Sequence, residues 1–338
     1  MGTGIRAMRK SPSRVQVMLA GRRVRYRGAI LYGSFPVRTF RARRPFRPHS
    51  FGSAAFLFIL SAGICRMERK RIGIIGCGTI GRLLGVHIRD HMQQLYELAA
   101  VASRTREHAE KLGRELNVPA CTVDEIMAEC DLVVETASAS AMPGIVRTAL
   151  AAHREIVCLS VGGFVLDEAL LEDVMAADTP VHVPSGAVAG LDGIRALREM
   201  GLESLSLTTI KRPESLGLSN ISELPSVPEG VREPVSKEAR ILFEGTASEA
   251  IRRFPANVNV AVALALAGPG PEKTRMRLIA DPEAAGTSHH IVARAGRCAL
   301  DITASPAALP ENPRSSALAM YSVPALLRQL AEPVRFAG

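Results

Sequence analysis

The sequence predicts an α/β protein: a doubly wound parallel sheet followed by a second, α+β domain. Three observations carry this. A buried-strand run, Ile72–Ile75, leads directly into a glycine-rich turn and a helical stretch. From residue 72 to about 160, apolar strand-like runs alternate with helical stretches, the pattern of a parallel sheet with helices on both faces. Beyond residue 200 runs of strands with few helices take over, which suggests a separate α+β domain.

The glycine turn is the most specific of the three. Residues 72–81 read IGIIGCGTIG, and a helix is expected over Arg82–His91. Gly76 allows the tight strand-to-helix turn, Gly78 lets a pyrophosphate come close to the backbone, and Gly81 lets helix and strand pack tightly. With Thr79 and Ile80 between them they open a helix whose N-terminus offers N–H groups and a positive dipole end to phosphates. This is the pattern of a Rossmann dinucleotide site; an ordinary glycine-rich turn is the plain alternative.

The remaining elements follow in order. Leu83–Leu95 continues the first helix, Leu98–Ala102 is the second strand, and a helix runs on through Leu116. Thr122–Ala128 is a short helix with Thr122, Asp124 and Glu125 as capping chemistry. Leu132–Glu135 is a strand, Pro143–Ala152 a helix, Glu155–Leu159 a strand, Leu166–Ala177 a helix and Val181–Val183 a strand. In the second half, 202–210 alternates as a half-buried strand and 213–234 reads as a long loop. Ser248–Arg253 and Val258–Ala267 read as helices, Arg275–Ala280, His290–Ala295 and Arg297–Ile302 as strands, and Ser316–Leu330 as a closing apolar helix. The expected division is a basic leader over 1–66, a nucleotide-binding domain over 67–190 and a substrate and dimerisation domain over 191–314, with a helix at 315–332 that returns to the first domain.

Charge is distributed unevenly. The chain of 338 residues has a net charge of +9, yet residues 1–66 hold fourteen Lys and Arg and no acid. Setting those aside leaves 28 basic against 33 acidic groups in the body, so the body lacks the cation excess that nucleic-acid binding needs. Three readings fit the leader: an organelle transit peptide, a signal segment with Phe51–Cys65 as its apolar run, or sequence upstream of a true start at Met67. On the last reading, which the abrupt start of the body at Glu68 favours, the leader carries little order. The apolar run is too short for a confident membrane span. The six cysteines, Cys65, Cys77, Cys121, Cys130, Cys158 and Cys298, form no metal-spaced cluster, so no metal is expected; they read as buried free thiols in a reducing cytoplasm.

The end of the second strand bears on the cofactor. An acid there would grip the ribose 2′-hydroxyl of NAD. The chain instead has Ser103-Arg104-Thr105, which would hydrogen-bond and neutralise a 2′-phosphate. NADP is therefore expected to bind at least as well as NAD, unless Arg104 is only a solvated helix-start residue.

Several segments are candidates for the chemistry. Ser160-Val161-Gly162-Gly163-Phe164 and the small-residue loop from Pro184 to Asp192 follow strands at the carboxyl edge of the sheet, where ligands bind in such folds. Phe243–Ala250 and Phe254–Val260 read as polar turns that open helices, with Glu244 and Glu249 as helix-start anions. Thr287-Ser288-His289-His290 places two histidines before a strand. Histidine suits proton transfer near neutral pH; adjacent side chains there point to opposite sides, so one of the two faces a site.

Taken together, GIIGCGTIG, LSVGGF, VPSGAVAGLDGI, FEGTASEAIRRFPANVNVAVAL, RLIADP and ENPRSSALA resemble the L-aspartate dehydrogenase family, over roughly residues 70–334 and in family order. The resemblance implies a Rossmann domain with an α/β catalytic domain, usually as a homodimer. It implies NADP- or NAD-dependent oxidation of L-aspartate to iminoaspartate, then release of ammonia and oxaloacetate, with iminoaspartate also able to feed quinolinate formation and NAD biosynthesis. It points to His289 as the catalytic residue, with Thr287 where the family has Asn and His290 as the competing assignment. It carries cofactor contacts to Ala187 and Asn257. Lys211, at a strand end, and the Ser185–Gly186 backbone are candidates for holding the two carboxylates of the substrate. Two other readings remain: an oxidoreductase on another small carboxylate of homoserine or semialdehyde type, and a non-catalytic nucleotide-binding sensor.

Overall fold

The computed structural model describes residues 15–19, 22–26, 69–216, 239–254 and 259–335. The chain divides into two compact units, Met1–Cys65 and Arg66–Gly338. In the first, β1 (Val15–Leu19) and β2 (Arg22–Tyr26) pair antiparallel, with Val17 opposite Val24. This hairpin within the basic leader is not expected from the sequence.

The second unit begins with a five-stranded parallel sheet. Its strands are β3 (Lys70–Ile75), β4 (Tyr96–Ala102), β5 (Leu132–Glu135), β6 (Glu155–Cys158) and β7 (Val181–His182). They lie in the order β4-β3-β5-β6-β7, so the chain reverses its direction of travel across the sheet between β3 and β5. Helices cover both faces because both faces of β3 are apolar. Ile72 and Ile74 face one way, onto Leu84 and Ile88 of α1 (Thr79–His91) and Leu112 and Leu116 of α2 (Arg106–Leu116). Ile75 faces the other way, into the cluster holding Ile126 of α3 (Val123–Glu129) and Val146 of α4 (Met142–Ala151). Thr122 and Glu125 cap α3 reciprocally, as their spacing suggests.

The stretch expected as one helix over 166–177 is two, α5 (Gly163–Leu166) and α6 (Ala169–Ala176). Asp167 sits extended between them, where Arg147 binds both its carboxylate oxygens at 2.6 and 3.1 Å. That fork accounts for a break that apolar periodicity does not register.

The second sheet has the order β12-β11-β8-β10-β9. It contains β8 (Ser204–Lys211), β9 (Arg240–Thr246), β10 (Arg275–Ala280), β11 (Ser288–Ala295) and β12 (Cys298–Ala304). β10 runs parallel to β8, and the other pairs are antiparallel. One face is covered by α7 (Leu191–Glu199), α8 (Ala247–Arg253) and α9 (Asn259–Ala267). The other carries charged and polar residues, including the Glu244–Arg277 pair at 2.9 Å. This one-sided burial gives the strict alternation of β8.

Three segments here depart from expectation. Phe243–Gly245 lies in strand β9, not in a turn, because Phe243 is buried and pairs opposite Leu278. Glu244 is accordingly a cross-strand ion-pair partner, while Glu249 is the helix-start anion expected, in a capping box with Thr246. The two histidines lie inside β11, since Ser288 already pairs with Ile210. Helix α7 is an element that the strand and loop patterns do not foretell.

The chain closes with a small hairpin, β13 (Ala308–Leu309) with β14 (Asn312–Ser316), and α10 (Ala317–Ala331). Val323 and Leu327 of α10 are buried with Leu84 and Ile88 of α1. Tyr96 at the start of β4 donates its hydroxyl to the Leu327 carbonyl at 2.7 Å. The last helix thus packs on the first sheet.

Cys130 and Cys158 are buried and Cys77 and Cys121 partly so, but Cys298 is exposed where the edge strand β12 begins; Cys65 lies outside the described residues. Among the described residues no helix is long and apolar enough to cross a membrane.

Candidate functional site

The glycine turn follows β3 at the point where the chain reverses direction across the sheet, the place where open α/β sheets bind ligands. Gly76 has φ +112°, and a Cβ on it would lie 2.6 Å from the Thr136 backbone. A Cβ on Gly81 would lie 1.9 Å from the Gly76 carbonyl oxygen, so no other residue fits there without displacing backbone. At Gly78 the situation is opposite: a Cβ would meet nothing within 4 Å. That open space lies at the N-terminus of α1. Among the described residues no side chain caps this helix, and its first turn has no acid. Thr79 and Ile80 form the start of that turn. An uncapped helix end with open space at Gly78 fits the pyrophosphate of a dinucleotide.

Beside this turn lies a cleft of about 640 Å³. Its walls come from Ile80, from the loops after β5, β6 and β7, from α8 and α9, and from the β14–α10 junction. Ser185, Gly186 and Ala187 all line it. The Gly186 N–H donates to Ser322 Oγ at 3.1 Å, and that hydroxyl donates to the Ala319 carbonyl at 2.7 Å; α10 therefore fixes the loop after β7. The loop after β6 is met by the second domain, where Asn259 Oδ1 accepts the Gly162 N–H at 3.2 Å.

Glu135 is fully buried at the end of β5. Its carboxylate accepts the Ala137 N–H at 2.6 Å and the Ser160 N–H at 3.0 Å. Burial pushes this carboxyl above its ordinary range, against the opposing pull of those N–H groups. Apolar periodicity places the strand and gives its last residue no role. An acid closing an otherwise apolar run is the signal that could have found it.

At the end of β4, Ala102 accepts the Gly76 N–H at 2.8 Å, which sets Ser103 beside the glycine turn. Ser103 is half-buried, and Arg104 and Thr105 are exposed. The Arg104 guanidinium has no hydrogen-bond or ion-pair partner among the described residues. The next cation, Arg106, is engaged by Glu110 at 3.0 Å.

The second domain supplies the titratable groups. His289 is 3% exposed and points to the covered face of the sheet, whereas His290 is on the opposite face with Asp301 at 2.7 Å. His289 pairs across the ladder with Thr209, whose Oγ1 lies 3.0 Å from Nδ1. Lys211 is on the same buried face of β8. Burial lowers the His289 pKa to about 4, and the Lys211 charge pushes in the same direction. Burial also lowers the Lys211 pKa. The geometry thus puts a neutral imidazole, a hydroxyl and a buried amine together. His289 and Lys211 are not among the cleft-lining residues, and Asn257 lies outside the described residues. Thr209, Ser322 and Asn259 carry no signal in the sequence, since their partners are 80 to 136 residues distant.

This geometry has counterparts in known proteins. Residues 192–330 match the family model described as aspartate dehydrogenase, C-terminal. Residues 76–183 match the one described as homoserine dehydrogenase, NAD binding domain. The L-aspartate dehydrogenase of Methanosarcina mazei is 39% identical over 274 residues, covering 78% of this chain and 98% of that protein. That of Methanocaldococcus jannaschii is 35% identical over 270 residues, with the same shares covered. The crystal structure of aspartate dehydrogenase from Thermotoga maritima superposes with a TM-score of 0.61 at 25% identity, over 80% of this chain and 100% of that one. A Rossmann-like sheet with its glycine turn, joined to a second sheet matching the aspartate dehydrogenase C-terminal model, places the chain in the L-aspartate dehydrogenase family of NAD(P)-dependent dehydrogenases.

Proposed function

We propose that the chain oxidises L-aspartate to iminoaspartate with NADP or NAD, and that water then releases ammonia and oxaloacetate. The observation that carries this is the buried His289, in contact with Thr209 and on the same face of the second sheet as the buried Lys211. An amino-acid dehydrogenase needs a base for the amine or for water, and a cation for a carboxylate. His289 is the catalytic residue in this reading, and Lys211 holds one substrate carboxylate with help from the Ser185 end of the Ser185–Gly186 backbone, the Gly186 N–H being taken by Ser322. When bound, the nicotinamide would supply the acceptor for the Cα hydride, and this chain's residues would hold the substrate and move its protons. In this reading His289 takes a proton from the substrate ammonium at Nε2, gives it up to solvent and, neutral again, deprotonates the water that adds to the imine carbon, returning that proton to the departing ammonia.

The cofactor is assigned to the glycine turn and the 640 Å³ cleft beside it. Gly76, Gly78, Thr79, Ile80 and Gly81 cradle the pyrophosphate, and Ala187 with Asn257 contacts the nicotinamide half. The partnerless Arg104, with Ser103 and Thr105, favours NADP over NAD. A cytoplasmic homodimer, and delivery of iminoaspartate to NAD biosynthesis, belong to the same reading.

A second reading is a dehydrogenase for homoserine or a related semialdehyde. It is supported by the description of the family model matched over 76–183. One experiment separates the two: reduction of NADP and of NAD with a panel of small amino acids and hydroxy acids, using the chain from Met67. Turnover with L-aspartate alone supports the first reading. Turnover with homoserine and none with aspartate would replace it with the second.

A further inference from the structure

Parallel hydrogen bonding between β5 and β6 ends at the Glu135–Cys158 pair. Beyond that point the two chains leave the sheet as loops, and both line the cleft. One side chain spans them there. We propose that Glu135 is a positioning residue for the nicotinamide cofactor, holding these two loops at the separation the bound cofactor requires.

The geometry is specific. One carboxylate oxygen accepts the Ala137 N–H at 2.6 Å and the other the Ser160 N–H at 3.0 Å. The tie continues sideways, since Thr136 Oγ1 donates to the Gly76 carbonyl at 2.8 Å. The ends of β3, β5 and β6 are therefore linked in sequence by Gly76, Thr136, Glu135 and Ser160, all at the carboxyl edge of the sheet. No cation pairs with Glu135 among the described residues. A buried carboxylate without a counter-ion is costly, and the strands already have their ladder bonds. What the carboxylate adds lies past the end of the ladder. Its chemistry also matches its surroundings, since the carboxylate brings only acceptors to the Ala137 and Ser160 N–H groups and to the Ser160 hydroxyl. A glutamine in its place would turn an NH₂ group toward one of them.

This inference rests on the reading of the cleft as the cofactor site, so the experiment carries a separate arm for each. NADPH dissociation constants are measured by fluorescence titration for the wild type, Glu135→Gln and Gly78→Val, with thermal unfolding of each and kcat at saturating cofactor. Glu135→Gln is expected to weaken NADPH binding about tenfold or more, the effect of leaving a buried donor unpaired. Its kcat at saturation is expected to stay within roughly threefold of wild type, since the residue touches no reacting atom. A lowered melting temperature with unchanged NADPH affinity would overturn the proposal, because a merely structural acid predicts that split. Gly78→Val enters open space in the protein, so it is expected to abolish NADPH binding with the fold intact. Wild-type affinity in Gly78→Val would refute the reading of the cleft. Loss of binding there alongside wild-type affinity in Glu135→Gln would refute only the role of Glu135. Should Glu135→Gln fail to fold, amide exchange of the wild type decides. Slow exchange at Ala137 and Ser160 before cofactor is added supports the tie, and exchange at open-loop rates refutes it.

Discussion

Thr209 Oγ1 lies 3.0 Å from His289 Nδ1, across an antiparallel ladder that pairs the two residues directly. Two proton arrangements satisfy this contact. If the hydroxyl donates, the neutral ring carries its proton on Nε2 and has no basic nitrogen to offer. If Nδ1–H donates to the hydroxyl, Nε2 is left with a free lone pair. The proposed chemistry requires the second, so the partner of Thr209 sets which nitrogen is the base.

His289→Ala is expected to lower kcat by two or more orders of magnitude with little change in NADPH affinity. Thr209→Val, which removes the acceptor but keeps the shape, is expected to cost about tenfold in kcat, and Thr209→Ser to recover most of it. Steady-state kinetics of the three variants check this. Wild-type turnover in Thr209→Val would detach the hydroxyl from the mechanism.

The lowered His289 pKa has two consequences for pH. The free enzyme keeps a neutral imidazole down to about pH 4, so kcat/KM is expected to show no acid limb near the ordinary histidine value. An inflection at about 6.5 would contradict the buried environment. Stability moves with the opposite preference of the unfolded chain. Between about pH 6.5 and 4 the unfolded state takes up a proton that folded His289 refuses. Stability therefore falls as pH falls through that window, by about 3 kcal/mol for this group alone. Denaturant unfolding of the wild type and His289→Ala at pH 7 and pH 5 measures it, with a shallower pH dependence expected in the variant.

Arg104→Asp tests the cofactor choice. The wild-type guanidinium stands without a partner among the described residues beside the glycine turn, and an acid in its place would repel a 2′-phosphate and accept a hydrogen bond from a ribose hydroxyl. The ratio of kcat/KM for NADP to that for NAD is expected to fall by about tenfold or more. An unchanged ratio would leave Arg104 a solvated helix-start residue.

Ser322→Ala removes the acceptor of the Gly186 N–H. The loss is expected to cost about 1 kcal/mol of stability, read by thermal unfolding, and to raise the cofactor KM severalfold. A stability loss with no effect on KM would separate this loop from cofactor binding.

The parts of the fold that are legible in the sequence are those in which one pattern is enough. The first sheet is buried on both sides, so its strands are unbroken apolar runs, and the glycines of 76–81 report backbone demands directly. Thr122 with Glu125 is a reciprocal cap readable at fixed spacing. The strand Arg240–Thr246 is hidden because a register shift breaks its alternation, leaving Ile241 exposed, and because its pairing partner, β10, lies some thirty residues on. The cut at Asp167 is hidden because it depends on Arg147, one helix away. At the candidate site, His289 stands out by residue type alone. The preference for His289 over His290 on geometry depends on strand register, which sequence spacing does not reveal. Glu135 escapes because apolar periodicity does not count acids, even where they close a buried run.

The bond from the Tyr96 hydroxyl to the Leu327 carbonyl joins residues 231 positions apart. The nucleotide-binding half therefore cannot finish assembling during synthesis when its own strands have emerged. One face of α1 stays uncovered until Val323 and Leu327 have been made. Loss of the helical turns that carry Val323 and Leu327 would expose that face in a module whose last strand, Val181–His182, lies well over a hundred residues earlier.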